Sequence, residues 1–230
     1  RRMPTVSFDE LLEMTATGCP KPAMRSVEYA RTHGVRLHVR SAFTWQEGTW
    51  VDEEETDMEQ AIVSAVTHDT SEAKMTISGV PDQPGVAARV FRELADLEVN
   101  VDMIVQNVSA ASTNLTDISF TLPRTDGQTA MTTLAGLQEQ IGFETLLYDD
   151  KVGKVSLIGA GMRSHPGVTA KFFSAIAEAG VNLGMISTSE IRISVVVADE
   201  DVDAAVAATH TAFDLDADEV EAVVYGGTGR

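Results

Sequence analysis

Two short stretches, Pro84-Gly85-Val86 and Pro166-Gly167-Val168, hold the most legible chemistry in the chain. Pro and Gly there suit a tight turn leading straight into a helix N-terminus. The first N–H groups of a helix have no intrahelical acceptor and lie at the positive end of its dipole, so they offer a carboxylate-binding site. A free amino acid would satisfy the groups nearby. Its carboxylate would sit on the helix N-terminus, and its ammonium would meet carbonyls or an acid such as Asp82. Its side chain would be read by Gln106, Asp102 or Glu190. Pro-Gly also serves simply to cap helices, so the turns taken alone leave both readings open.

Other chemistries find less support. Gly159-Ala160-Gly161 follows a strand-like run, as a dinucleotide fingerprint would, but position 164 is Ser where a third Gly is needed. There is no Walker A lysine motif, no His-Glu-x-x-His and no Gly-x-Ser-x-Gly. The five histidines are scattered, and His165 beside the second turn reads as a ligand contact or a plain loop residue. Met75, Met103, Met131, Met162 and Met185 fall on predicted strands and helices as core fillers. A lone cysteine, Cys19, excludes an intrachain disulfide and a Cys-rich zinc site.

The elements that must position the turns come from an internal repeat. Shifting the chain by 82 residues lays Pro84 on Pro166 and keeps register without a gap to Ile104 on Ile186, with ten identities in the 23 positions from 84 to 106. Each copy predicts a strand (74–80, 154–158), a Pro-Gly turn, a helix (86–97, 168–179) and a strand pair (99–105 with 118–122, 181–187 with 191–197). A second helix (129–140, 202–213) and a last strand (145–148, 221–225) complete it. The order is βαββαβ twice, an α+β arrangement of two ferredoxin-like units. One strand, 61–67, is left over and is expected to pair with one of the two sheets, completing the second from across the chain as one option.

Charge divides the chain as well. The formal net charge of -18 argues against nucleic acid and anionic membrane as partners. Residues 1–45 nevertheless carry +3, leaving -21 for the rest, and the break falls in an acid-rich run at 52–60 that reads as a linker. No uninterrupted apolar run reaches membrane-spanning length, and Arg1-Arg2-Met3-Pro4 leads into polar sequence, so the expected location is the cytoplasm.

At the repeat the sequence resembles the paired ACT domains of aspartate kinases, with the actinobacterial lysine- and threonine-sensitive type most similar. The stretches that carry the resemblance include 102–109 (Asp102-Met103-Ile104-Val105-Gln106-Asn107-Val108-Ser109), 154–162, 164–168 and 186–194. Residues 5–50 resemble the end of that family's α/β amino-acid-kinase domain, through Ser7-Phe8-Asp9-Glu10, 25–30 and 37–43; the segment 18–24, with two prolines, departs from the family's aliphatic pattern. The implied division is a kinase-domain tail at 1–51, a linker at 52–60, a first ACT domain at 61–150 and a second at 151–230.

The resemblance implies feedback sensing of threonine, lysine or both at interfaces between ACT domains. The effector positions would be Asp82, Gly85, Val86, Ala87, Asp102 and Gln106 in the first repeat. Thr169, Asn182, Leu183 and Glu190 would serve in the second, with Ser109, Gly153 and Ser189 as coupling positions. Gly184 stands where the family commonly has an acid. The family's Lys-Phe-Gly-Gly-Thr-type phosphate loop is absent from the sequence, so the expectation is a non-catalytic regulatory chain without a cofactor of its own. ATP and magnesium would then belong to a catalytic domain, and partners would be a second copy or catalytic aspartokinase chains. The rival expectations are a chain that phosphorylates aspartate itself and a structural subunit with decayed effector sites.

Overall fold

The computed structural model describes residues 2–53, 62–107 and 113–216. The predicted strand 221–225, Ser109 and most of the acidic run lie outside the described residues.

The chain opens with β1 (Thr5–Ser7) and α1 (Phe8–Ala16). Ser7 caps the helix as its sequence position suggests. Its Oγ accepts the Glu10 N–H at 3.2 Å while the Glu10 carboxylate reaches back to Ser7, a complete capping box. After the proline-containing break follow α2 (Met24–Thr32), β2 (Leu37–Val39) and β3 (Thr49–Asp52), which form a small sheet in the order β1-β3-β2. Phe8, Leu11, Met14, Val27 and Val51 make its core.

β4 (Ala65–Asp69) leads into the first repeat unit. That unit comprises β5 (Glu72–Pro81), α3 (Val86–Asp96), β6 (Asp102–Gln106), β7 (Leu115–Pro123), α4 (Gly127–Gly136), α5 (Gln138–Ile141) and β8 (Thr145–Asp149). Its sheet runs β6-β7-β5-β8, the ferredoxin-like order. Alternate residues of β5, namely Ala73, Met75 and Ile77, are wholly buried. Met75 and Ile77 meet Val90 and Leu94 of α3 and Leu134 of α4 in one core. Each such side chain contributes about 1.5–3 kcal/mol on burial.

The second unit contains β9 (Val152–Ile158), α6 (Val168–Glu178), β10 (Met185–Thr188), β11 (Arg192–Ala198) and α7 (Val202–Ala212). Its sheet runs β10-β11-β9-β4. β4, which precedes the first unit in the chain, therefore takes the place that β8 holds in the first sheet, with Ala65 opposite Ile158 and Asp69 opposite Lys154.

Several elements differ from the sequence-based boundaries for local reasons. The strand expected at 99–105 starts only at Asp102, and Glu98 (φ 58°) and Met103 (φ 47°) interrupt the extended backbone. The helix expected at 129–140 is two pieces that meet at Leu137.

β9 is buried along its whole length because both faces of its sheet are covered. Val155 and Leu157 face α6 and α7, while Ile158 joins the N-terminal core. Arg192 Nη1 lies 2.9 Å from Glu13 of α1, and the hydroxyls of Thr17 and Thr67 meet at 2.6 Å, so the N-terminal segment is tied to the second sheet. The two units meet at a seam of Met103, Val152, Met185 and Val196. Met103 and Met185 are equivalent positions of the repeat, so the same position of each unit is buried in the seam.

Candidate functional site

The first Pro-Gly turn opens on a cavity of about 340 Å³. Val80 and Pro81 at the end of β5, the turn itself, and Val86 and Ala87 at the start of α3 form one side. Gln106 at the end of β6, with Thr116 and Ile118 of β7, forms the other. The turn is held by the Asp82 N–H donating to the Asn114 carbonyl at 3.0 Å and the Gln83 N–H donating to the Pro81 carbonyl at 2.9 Å. Gly85 has φ 94°, the left-handed region where only glycine is unstrained. The floor is apolar and buried (Val80, Ile118), and the rim carries the exposed groups of Asp82 and Gln106. Such a pocket suits a small amphipathic molecule bearing a carboxylate.

Five of the expected positions, Asp82, Gly85, Val86, Ala87 and Gln106, are thus brought together. The Val86 N–H donates to the Gln83 carbonyl at 3.3 Å, which leaves the N–H groups of Ala87 and Ala88 as the first-turn donors of α3 without an acceptor in the helix.

Asp102 lies outside the cavity lining; its Oδ2 is 3.1 Å from Lys154 Nζ of the second unit, and the same ammonium bonds to Glu72 Oε1. Lys154 is 1% exposed. Burial alone would raise the Asp102 carboxyl, but the Lys154 ammonium outweighs it and the group lies below its ordinary 3.8. Burial likewise works against the charge on Lys154, yet Glu72 and then Asp102 hold its pKa above 10.5. Asp102 therefore pairs with the second unit across the seam.

The second repeat's positions do not form a matching pocket with the first. Thr169 and Asn182 are exposed, Leu183 packs against the second core, and Glu190 is exposed in the turn between β10 and β11. In that turn the Ser189 N–H donates to the Arg192 carbonyl at 2.8 Å. Gly153 is buried in β9, where a β-carbon would lie 2.4 Å from Val202 Cγ2. At Gly184 a β-carbon would lie 3.7 Å from Lys74 Nζ, so an acid there would meet that lysine.

Both turns are exposed, but the loop that precedes the second is packed against the N-terminal segment. That loop folds as a 3-10 turn over Ala160–Ser164, and the Ala160 N–H donates to Glu10 Oε1 at 3.0 Å. Glu10 also accepts the Ser64 hydroxyl. β-Carbons at 159 and 161 would lie 2.4 and 2.6 Å from the Ile62 backbone. These glycines accommodate the protein's own chain, which leaves no room for a phosphate against them. His165 Nδ1 lies 2.8 Å from the Gly161 carbonyl oxygen and braces the same loop. Among the described residues no group of three or more His, Cys, Asp or Glu side chains is placed to hold a metal ion.

Sequence reasoning missed Val80, Pro81, Thr116 and Ile118, whose ordinary strand pattern carries no ligand signal, and the pair Glu72–Lys154. The latter joins the two units, so neither copy of the repeat alone announces it.

The family model for the ACT domain matches residues 75–136 and 155–213. The chain is 55% identical over 232 aligned residues to the aspartokinase of Mycolicibacterium smegmatis, covering 100% of this chain and 55% of that protein. It thus spans about half the length of the curated relatives it matches. Among solved structures, it resembles a chain of an aspartokinase composed of alpha and beta subunits, at 43% identity and TM-score 0.62, covering 66% of this chain and 99% of that one. It also resembles the ligand-free regulatory subunit of aspartate kinase from Thermus thermophilus, at 40% identity and TM-score 0.62, covering 67% of this chain and 99% of that one.

Proposed function

The chain belongs to the ACT-domain regulatory part of the aspartokinase family, and we propose that it senses threonine, lysine or both as feedback effectors. The observation that carries this reading is the cavity at the first turn. A threonine carboxylate would accept from the Ala87 and Ala88 N–H groups, and its ammonium would meet Asp82. Its hydroxyl would meet the Gln106 amide, and its methyl group the apolar floor of Val80 and Ile118. For lysine, Asp102 and Glu190 are the acids singled out for the side-chain ammonium.

In this reading the chain acts through ACT–ACT contacts with a second copy or with catalytic aspartokinase chains. Phosphorylation of aspartate by ATP, with its magnesium, belongs to the catalytic part. Effector binding favours one arrangement of the ACT units, and the catalytic part responds to that arrangement. The reading places the protein in the cytoplasm; among the described residues no helix is long and apolar enough to cross a membrane.

Calorimetric titration of the chain with threonine and lysine tests the proposal. Saturable heat with at least one is expected, and no heat with either, alone or together, overturns it. Gln106 is exposed, so Gln106→Ala should leave the melting temperature nearly unchanged. Loss of its hydrogen bond should weaken threonine binding by about 1 kcal/mol, roughly fivefold.

A further inference from the structure

We propose that Lys154 is a positioning residue for the first-turn cavity: from the second unit, its ammonium clamps the starts of the two strands whose far ends form the cavity walls. The proposal rests on the reading of that cavity as an amino-acid site. Lys154 contacts Glu72, the first residue of β5, and Asp102, the first residue of β6. Both strands pair antiparallel with β7, so they run in the same direction and begin at the same end of the sheet. At the other end lie Val80 and Pro81 of β5 and Gln106 of β6, on either side of Thr116 and Ile118.

Between clamp and cavity each strand carries an irregularity. The register of β5 shifts between Ile77 and Val80, and that of β6 between Asp102 and Val105. Within the second break, Met103 has φ 47°, a strained conformation for a side chain of its size, and it packs into the seam between the units. β6 is an edge strand with only three registered pairs to β7. It has few ladder contacts to fix its position, so its two ends are set by what holds Asp102 and Met103. A buried ammonium shared by two carboxylates resists separation, because removing one partner leaves an uncompensated charge. The placement of Gln106 is thereby determined from the opposite end of its strand by a residue of the other unit. Linkage makes the effect reciprocal. A ligand that draws Gln106 inward changes the clamp, and through Lys154 the second unit registers it.

The test combines backbone hydrogen exchange with threonine titration of the whole chain for Lys154→Met, Asp102→Asn and a control, Glu13→Gln, which removes a different half-buried ion pair. The side chain of Asp102 is 44% exposed, so Asp102→Asn retains the fold should Lys154→Met not do so. Amides 103–106 should exchange about fivefold faster or more in both clamp variants, and threonine binding should weaken by a similar factor. Glu13→Gln should match the unsubstituted chain in both measurements. Unchanged exchange at 103–106 in folded Asp102→Asn overturns the clamp, whether or not any amino acid binds. Faster exchange in the clamp variants, with no threonine or lysine binding to the unsubstituted chain, upholds the clamp and overturns the reading of the cavity instead.

Discussion

The two Pro-Gly turns share their sequence and their place in the repeat, yet the protein uses them differently. The first follows β5 after a four-residue loop and faces a cavity. The second follows β9 after nine residues, and the N-terminal segment buttresses that loop through Glu10 and Ile62. Their glycines differ too, with Gly85 left-handed at φ 94° and Gly167 in the ordinary helical region at φ -80°. An internal repeat therefore conserves the scaffold, while the loop that enters each turn is set by neighbours outside the repeat.

Three glycine substitutions separate the causes of this difference. Gly159→Ala should be the most damaging, because the new methyl group would lie 2.4 Å from the Ile62 carbonyl oxygen. The backbone there is extended (φ 173°), so the cost is steric alone, about 2–3 kcal/mol in chemical denaturation. An effect no larger than that at Gly167 would mean that the loop before the second turn is not packed against Ile62.

Gly85→Ala comes next. Nothing lies within 4 Å of its β-carbon position, so the cost is the left-handed backbone alone, about 1–2 kcal/mol. Gly85→Asn should cost less, since Asn tolerates that region better. Equal losses for Ala and Asn would assign the penalty to something other than backbone conformation.

Gly167→Ala should have the smallest effect and the opposite sign. It meets no atom within 4 Å and needs no unusual φ, so restricting the unfolded chain should stabilise the protein by about 0.4–1 kcal/mol. Destabilisation would reveal a constraint on the second turn that neither its backbone angle nor its neighbours account for.

The 82-residue register, the alternation in β5 and the apolar face of α3 were sufficient to read two ferredoxin-like units, because these are local patterns that each unit buries in its own core. The first-turn residues from Asp82 to Ala87, with Gln106, were legible for the same reason. What was not legible depends on contacts distant in sequence. The support for the loop before the second turn comes from Glu10 and Ile62, about 150 and 100 residues away from it. Asp102 looked free to bind a ligand because its partner lies in the other unit. Lys154 matches Lys74 in the other copy, and neither lysine announces an ion pair across the seam. The register break in β6 falls at the left-handed Met103, which an apolar run does not announce.

The pairing of β4 with β9 also bears on how the chain is assembled. These two strands are antiparallel neighbours, with Asp69 opposite Lys154, and the entire first unit occupies residues 70–151 between them. Topologically, that unit stands where a hairpin turn would stand in a simpler sheet. If it folded first, its close-set ends would bring β4 and β9 together, and the second sheet would avoid most of the entropy of closing a long loop. The first unit is then a clasp as well as a sensor: the second half of the protein is built around it, and the order in which the chain emerges during synthesis favours that sequence of events.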